Sequence, residues 1–190
     1  MPLIAPSIHQ QPLSYVAKLE PRPLSGVDLV VIHCTELPDL ATARSYGERV
    51  LYPSGTGNSG HFYIDRDGSI HAYVPLDRIA HHVHGHNFRA VGIELVNTGR
   101  YPDWLDSRRQ QPSEPYPEAQ IQALILLLHH LQRLLPSLRH IAGHESLDRE
   151  QVAASDDPEK RVRRKLDPGP MFPWSEVVRE TGLVALSPAS

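Results

Sequence analysis

Asp28-Leu29-Val30-Val31-Ile32-His33-Cys34 is the stretch on which the reading of the fold turns. A short, unbroken apolar run closed by polar groups reads as a central strand covered on both faces. Such a strand places the chain among α/β proteins, with helices lying against a sheet. In open α/β sheets ligands bind beyond the carboxyl ends of the strands, where His33 and Cys34 fall. Successive side chains point to opposite faces, so only one of the two can look into a site. Cys34 is then read as a small core residue.

Outward from that strand, the pattern predicts one domain. Asp39 to Leu51 reads as a helix opened by Pro38-Asp39 and stopped before Pro53. His61–Asp65 and Ser69–Val74 read as two strands of a hairpin, with Gly68 where the turn needs positive φ. Val91–Asn97 is another apolar strand, and Leu138–Ala142 a short last one. Pro117 to Leu135 is the main helix: Ile121, Leu124, Ile125, Leu128, Leu131 and Leu135 recur at helical spacing. A terminal helix runs from Pro173-Trp174 to Thr181, with Gly182 as its C′ residue. The proline-rich residues 1–26 read as an extended surface arm, 27–182 as the domain and 183–190 as a tail.

Composition narrows the function. The chain has 190 residues, a formal net charge of −3, one cysteine, 18 prolines and 12 histidines. That size suits a single domain with a substantial core. Near-balanced charge gives no field for nucleic acid or anionic lipid. The five cations of Glu159-Lys-Arg-Val-Arg-Arg-Lys165 lack interleaved aromatics, so 148–165 reads as a solvated loop, with no nucleic-acid partner. No apolar run reaches membrane-spanning length. The first residues lack a basic n-region and an apolar h-region, which gives a cytoplasmic expectation. Lone Cys34 excludes an intramolecular disulfide and fits a reducing compartment.

Three residues are candidate metal ligands. Asp167, in Lys165-Leu-Asp167-Pro-Gly-Pro170, sits before a rigid turn and can be a metal ligand or half of a salt bridge. His33 ends one strand and His144 follows another. Two imidazoles and a carboxylate, with a fourth position open, are a donor set used for catalytic zinc. Their separations match no short metal motif. Glu94 lies inside an apolar strand, so it must be paired with a core cation, neutralised or bound to a charge. The tract His81-His82-Val83-His84-Gly85-His86-Asn87 either binds metal by itself or lines a neighbouring site.

Five segments occur in family order: Val30-Val-Ile-His33, Gly60-His-Phe-Tyr-Ile-Asp-Arg-Asp-Gly68, Val91-Gly-Ile-Glu94-Leu, Ile141-Ala-Gly-His144-Glu and Lys165-Leu-Asp167-Pro-Gly-Pro-Met-Phe-Pro-Trp174. Over about residues 26–180 the chain resembles the zinc-dependent N-acetylmuramoyl-L-alanine amidases of type 2, which are similar to T7-type lysozymes and peptidoglycan recognition proteins. The resemblance implies a central mixed sheet flanked by helices, with zinc at one edge of the sheet on His33, His144 and Asp167. It implies Glu94 as catalytic acid/base and Lys165 beside the scissile carbonyl. His82 and Asn87 match positions that line the substrate groove. Where T7-type members carry a catalytic tyrosine this chain has Gly60, and the segment between His144 and Asp167 is longer than usual. The implied partner is peptidoglycan or a muropeptide, bound by a monomer. A non-catalytic peptidoglycan-binding module is the alternative, and such members usually lack a zinc ligand.

Overall fold

The computed structural model describes residues 5–186. A seven-stranded mixed sheet runs through it, formed by β1 (Ile8–Gln10), β2 (Leu29–Cys34), β3 (Phe62–Ile64), β4 (Ile70–Ala72), β5 (Ala90–Leu95), β6 (His140–Gly143) and β9 (Val184–Ala185). Their order is β1-β4-β3-β5-β2-β6-β9, parallel at every pairing except the β3–β4 hairpin. Helices α1 (Leu40–Gly47), α2 (Glu118–Leu134), α3 (His144–Leu147) and α4 (Trp174–Thr181) complete it, with a separate hairpin of β7 (Gln151–Ala153) and β8 (Arg161–Arg163).

All six residues of β2 are buried, as the opening run requires. The alternation of β2 then sorts chemistry from core. Val30 and Ile32 join Val91, Ile93 and Leu95 of β5 beneath α2, whose Leu124, Leu127, Leu128 and Leu131 are fully buried. Leu29 and Val31 face the other way, against Val83, Ala90 and Ala142. His33 and Glu94 continue that second face and stand opposite one another in register. Cys34 lies on the α2 side, where its thiol contacts the Asn97 carbonyl at 3.4 Å. Gln120 fixes α2 to the strand ends, its side-chain amide donating to the Ile64 and Val96 carbonyls at 2.9 and 3.1 Å.

Four local expectations change. Residues 8–10 add a strand, and Leu13, Tyr15 and Leu19 are buried against Tyr63, Tyr73 and Val74, so the expected surface arm is partly core. The expected tail supplies β9 at the opposite edge; residues 187–190 of that tail, and 1–4 of the arm, lie outside the described residues. Strands of two or three residues carry too little periodicity to be read alone. The helix expected over 39–51 ends at Gly47; Asp39 caps it by accepting the Thr42 N–H at 2.7 Å. The expected loop 148–165 folds back as β7–β8, with Val162 buried between an exposed Arg161 and a half-buried Arg163.

Candidate metal centre

Three connections meet at the carboxyl edge of the central strands. His33 is the penultimate residue of β2. Its neighbour Ile32 pairs with Gly143, the last residue of β6, which makes His144 the first residue of α3. Asp167 comes from the Pro-Gly-Pro turn after β8. That turn is pinned: Glu145 N–H donates to the Asp167 carbonyl at 3.0 Å, Gly169 N–H to Glu145 Oε2 at 3.1 Å and Tyr116 O–H to the Pro168 carbonyl at 2.7 Å. A side chain at Gly143 would reach within 2.9 Å of the Pro168 ring, so glycine lets the turn close on β6.

The result is a tight triangle. His33 Nδ1 lies 3.0 Å from both His144 Nδ1 and Asp167 Oδ2, and His144 Nδ1 lies 3.1 Å from the same oxygen. All three residues are buried. Without a cation, both Nδ1–H groups would have to share the single oxygen Asp167 Oδ2, with their like-signed hydrogens crowded together. Asp167 Oδ1 is also buried with no partner among the described residues. A cation resolves both faults. Tetrahedral zinc with nitrogen and oxygen donors at about 2.0–2.1 Å spaces them by roughly 3.3 Å, within a few tenths of an ångström of the observed separations. The cluster can hold a metal.

Burial pushes His33 down to about 4, against the pull of Asp167. Burial would raise Asp167, yet His144, His33 and Lys165 hold it well below the usual carboxylate range. Both shifts leave the donors in the bare forms that a metal needs.

The triangle opens on a cavity of about 940 Å³, which Glu94, Lys165, His82 and Asn87 also line. The Glu94 carboxyl makes no hydrogen bond to any described residue, while its backbone pairs with β2 and β3. Burial, then the charges of Asp167 and Glu36, raise it to about 8, with Lys165 opposing. Of the fates open to a glutamate inside an apolar strand, a raised proton affinity fits this one, whose carboxyl meets no core cation among the described residues. A Cβ at Gly60 would sit 2.9 Å from Glu94 Cγ, so glycine there makes room for the carboxyl. Lys165 is half-buried and forms no ion pair among the described residues; Asp167 meets the two histidines instead.

His82 and Asn87 face the cavity; each has one side-chain atom engaged within the protein, while His82 Nε2 is buried with no partner among the described residues. His82 Nδ1 lies 3.0 Å from His33 Nε2, and Asn87 Oδ1 accepts the N–H groups of His82 and Val83. His82 therefore backs a ligand, fixing which ring nitrogen of His33 points at the triangle. Its ring lies over Gly92, where a Cβ would approach to 2.6 Å. Sequence reasoning missed this contact, and the glycine inside β5 was the available signal. It also missed Asp148, buried one turn after His144, with Oδ2 3.9 Å from His144 Nε2.

Sheet, open cavity and His2Asp cluster define an α/β domain with a candidate metal site. Residues 22–170 match the N-acetylmuramoyl-L-alanine amidase family, and the chain belongs to it. It is 33% identical over 138 residues to the 1,6-anhydro-N-acetylmuramyl-L-alanine amidase AmpD of Salmonella typhimurium, covering 68% of this chain and 58% of AmpD. It is 34% identical over 94 residues to the amidase AmiD of Escherichia coli, covering 50% of this chain but 28% of AmiD. The chain thus spans less than two thirds of these relatives. Among solved structures, E. coli AmiD with anhydro-N-acetylmuramic acid-L-Ala-D-gamma-Glu-L-Lys superposes with a TM-score of 0.63 at 23% identity, over 86% of this chain and 60% of that one. A selenomethionine derivative of AmpD gives 0.62 at 22% identity, over 95% and 99%.

Proposed function

We propose that the chain is a zinc-dependent hydrolase of the amide bond between N-acetylmuramic acid and the L-alanine of the stem peptide, in peptidoglycan or soluble muropeptides. The observation that supports it most is the buried triangle of His33, His144 and Asp167, with Asp167 Oδ1 left without a partner among the described residues, beside a cavity that also holds Glu94 and Lys165.

Zinc on those three donors would polarise the scissile carbonyl and acidify water. Glu94, as carboxylate, accepts a proton from the attacking water while the new C–O bond forms. The same group returns that proton to the alanine nitrogen as the C–N bond breaks, leaving a muramoyl carboxylic acid and a free amine. Its raised proton affinity suits both halves of that transfer. Lys165, which pairs with no carboxylate among the described residues, offers its ammonium to the oxygen on which negative charge builds, a contact of about 3–4 kcal/mol in comparable sites. His82 and Asn87 line the cavity on the side where substrate would lie. A cytoplasmic, monomeric enzyme belongs to the same reading. Among the described residues no helix is long and apolar enough to cross a membrane.

Liquid chromatography with mass detection, run on a soluble anhydro-muropeptide, tests it. The expected products are the free stem peptide and the sugar acid. Binding of the muropeptide without cleavage by zinc-loaded protein would leave a recognition module instead.

A further inference from the structure

Arg100 and Glu36 form a buried ion pair beside the cavity, 4% and 7% exposed, that the mechanism above does not use. Glu36 follows β2 by two residues, and Arg100 lies five beyond β5. Arg100 Nε and Nη2 bond the two Glu36 oxygens at 2.7 and 2.8 Å, a forked contact. Its remaining N–H groups reach Gln110 Oε1 at 3.1 Å, the Arg163 carbonyl at 3.0 Å and the Arg164 carbonyl at 3.2 Å. Guanidinium has five N–H donors, and all five are used.

Glu36 is held just as closely. Its carbonyl accepts Trp104 Nε1–H at 3.0 Å, and a Cβ on Gly99 would come within 2.7 Å of its Cγ. Glu36 has φ of 50°, and it is the one non-glycine residue with positive φ among those described. A glutamate kept in that region signals a position that its surroundings over-determine.

We propose that Arg100 is a positioning residue for Lys165. One guanidinium joins the segment after the His33 strand to the two carbonyls that immediately precede Lys165. Among the described residues the Lys165 side chain has no ion-pair partner to orient it, so its placement depends on the backbone that carries it. This rests on the role proposed for Lys165. A lysine at 100 keeps the charge but loses the fork and two donors, so it should release the 163–164 carbonyls. Misplacing a catalytic group by about 1 Å can cost 10²-fold in rate.

The test is a double-mutant cycle on zinc-loaded protein with Arg100→Lys, Lys165→Ala and the double variant, reading zinc stoichiometry, melting temperature, kcat and KM. The expected result is one zinc per Arg100→Lys chain, a 10- to 100-fold loss confined to kcat, and a double variant no slower than Lys165→Ala alone. Multiplying losses, a loss confined to KM, or unchanged kcat in Arg100→Lys would overturn the proposal. Wild-type turnover in Lys165→Ala would instead remove the role of Lys165, and the proposal with it. Should Arg100→Lys fail to fold, Gln110→Met removes one of the five acceptors, and the same cycle should show a threefold or larger kcat loss that vanishes in the Lys165→Ala background.

Discussion

Glu94→Gln sets activity and stability against each other. In the metal-free protein Glu94 titrates at about 8 because burial and the Asp167 charge disfavour its carboxylate. A carboxyl whose folded pKa is raised contributes most below its unfolded value of 4.5; that contribution declines as pH rises toward 8. At pH 7 the gap above 4.5 amounts to about 3 kcal/mol, at about 1.4 kcal/mol per unit. Glutamine imitates the neutral carboxyl and has nothing to ionise. Chelated Glu94→Gln should therefore melt roughly 6–12 °C above chelated wild type at pH 7, using about 2–4 °C per kcal/mol for this size, and show almost no difference at pH 4.5. Loaded with zinc, the same variant should lose 10²- to 10⁴-fold in kcat. Differential scanning calorimetry at the two pH values and steady-state hydrolysis of a muropeptide read both. Equal melting temperatures at pH 7 would refute the buried-carboxyl reasoning; kcat within threefold of wild type would refute the proton-transfer role.

Further outcomes follow from other contacts. Gly92→Ala drives a methyl into the His82 ring, so zinc affinity measured by chelator competition should fall about 10- to 100-fold; unchanged affinity would show that His82 does not orient His33. Cys34→Ser should leave zinc stoichiometry at that of wild type, because its side chain lies across β2 from the donors. Leu124→Ala empties a fully buried site under α2 and should cost about 2–5 kcal/mol in urea unfolding. His61 is buried, accepts the Gly92 N–H at Nδ1 and sits beside Arg22; burial first and then that cation hold it well below its usual range. Its folded value being depressed, its contribution to stability is present above about pH 6.5 and declines as pH falls. His61→Gln should flatten the acid limb of the stability curve below pH 6.5, and an unaltered limb would assign that loss to other groups.

The parts of the fold legible in sequence were those with enough residues to show a period. Six buried positions of β2 and the repeat of α2 name themselves, and Gly68 and Gly182 mark their turns through positive φ. The edge strands β1 and β9 and the β7–β8 hairpin were not legible, because two or three residues gain their order from pairing partners distant in sequence. Of the candidate site, the alternation of β2 turned His33 and Cys34 to opposite faces, and the family resemblance supplied the three donors. The sequence could not say which imidazole nitrogen faces the centre; that depends on His82, 49 residues away. Nor could it show that Glu36 and Arg100, 64 residues apart, neutralise one another beside the cavity.

Zinc titration into chelated protein, with muropeptide cleavage followed in the same sample, tests the central claim most directly. Turnover should be absent without metal, rise linearly and break at one zinc per chain, and stay absent in Asp167→Asn across the titration. Full turnover in the chelated protein, or wild-type turnover in Asp167→Asn, would contradict a metal centre built from His33, His144 and Asp167.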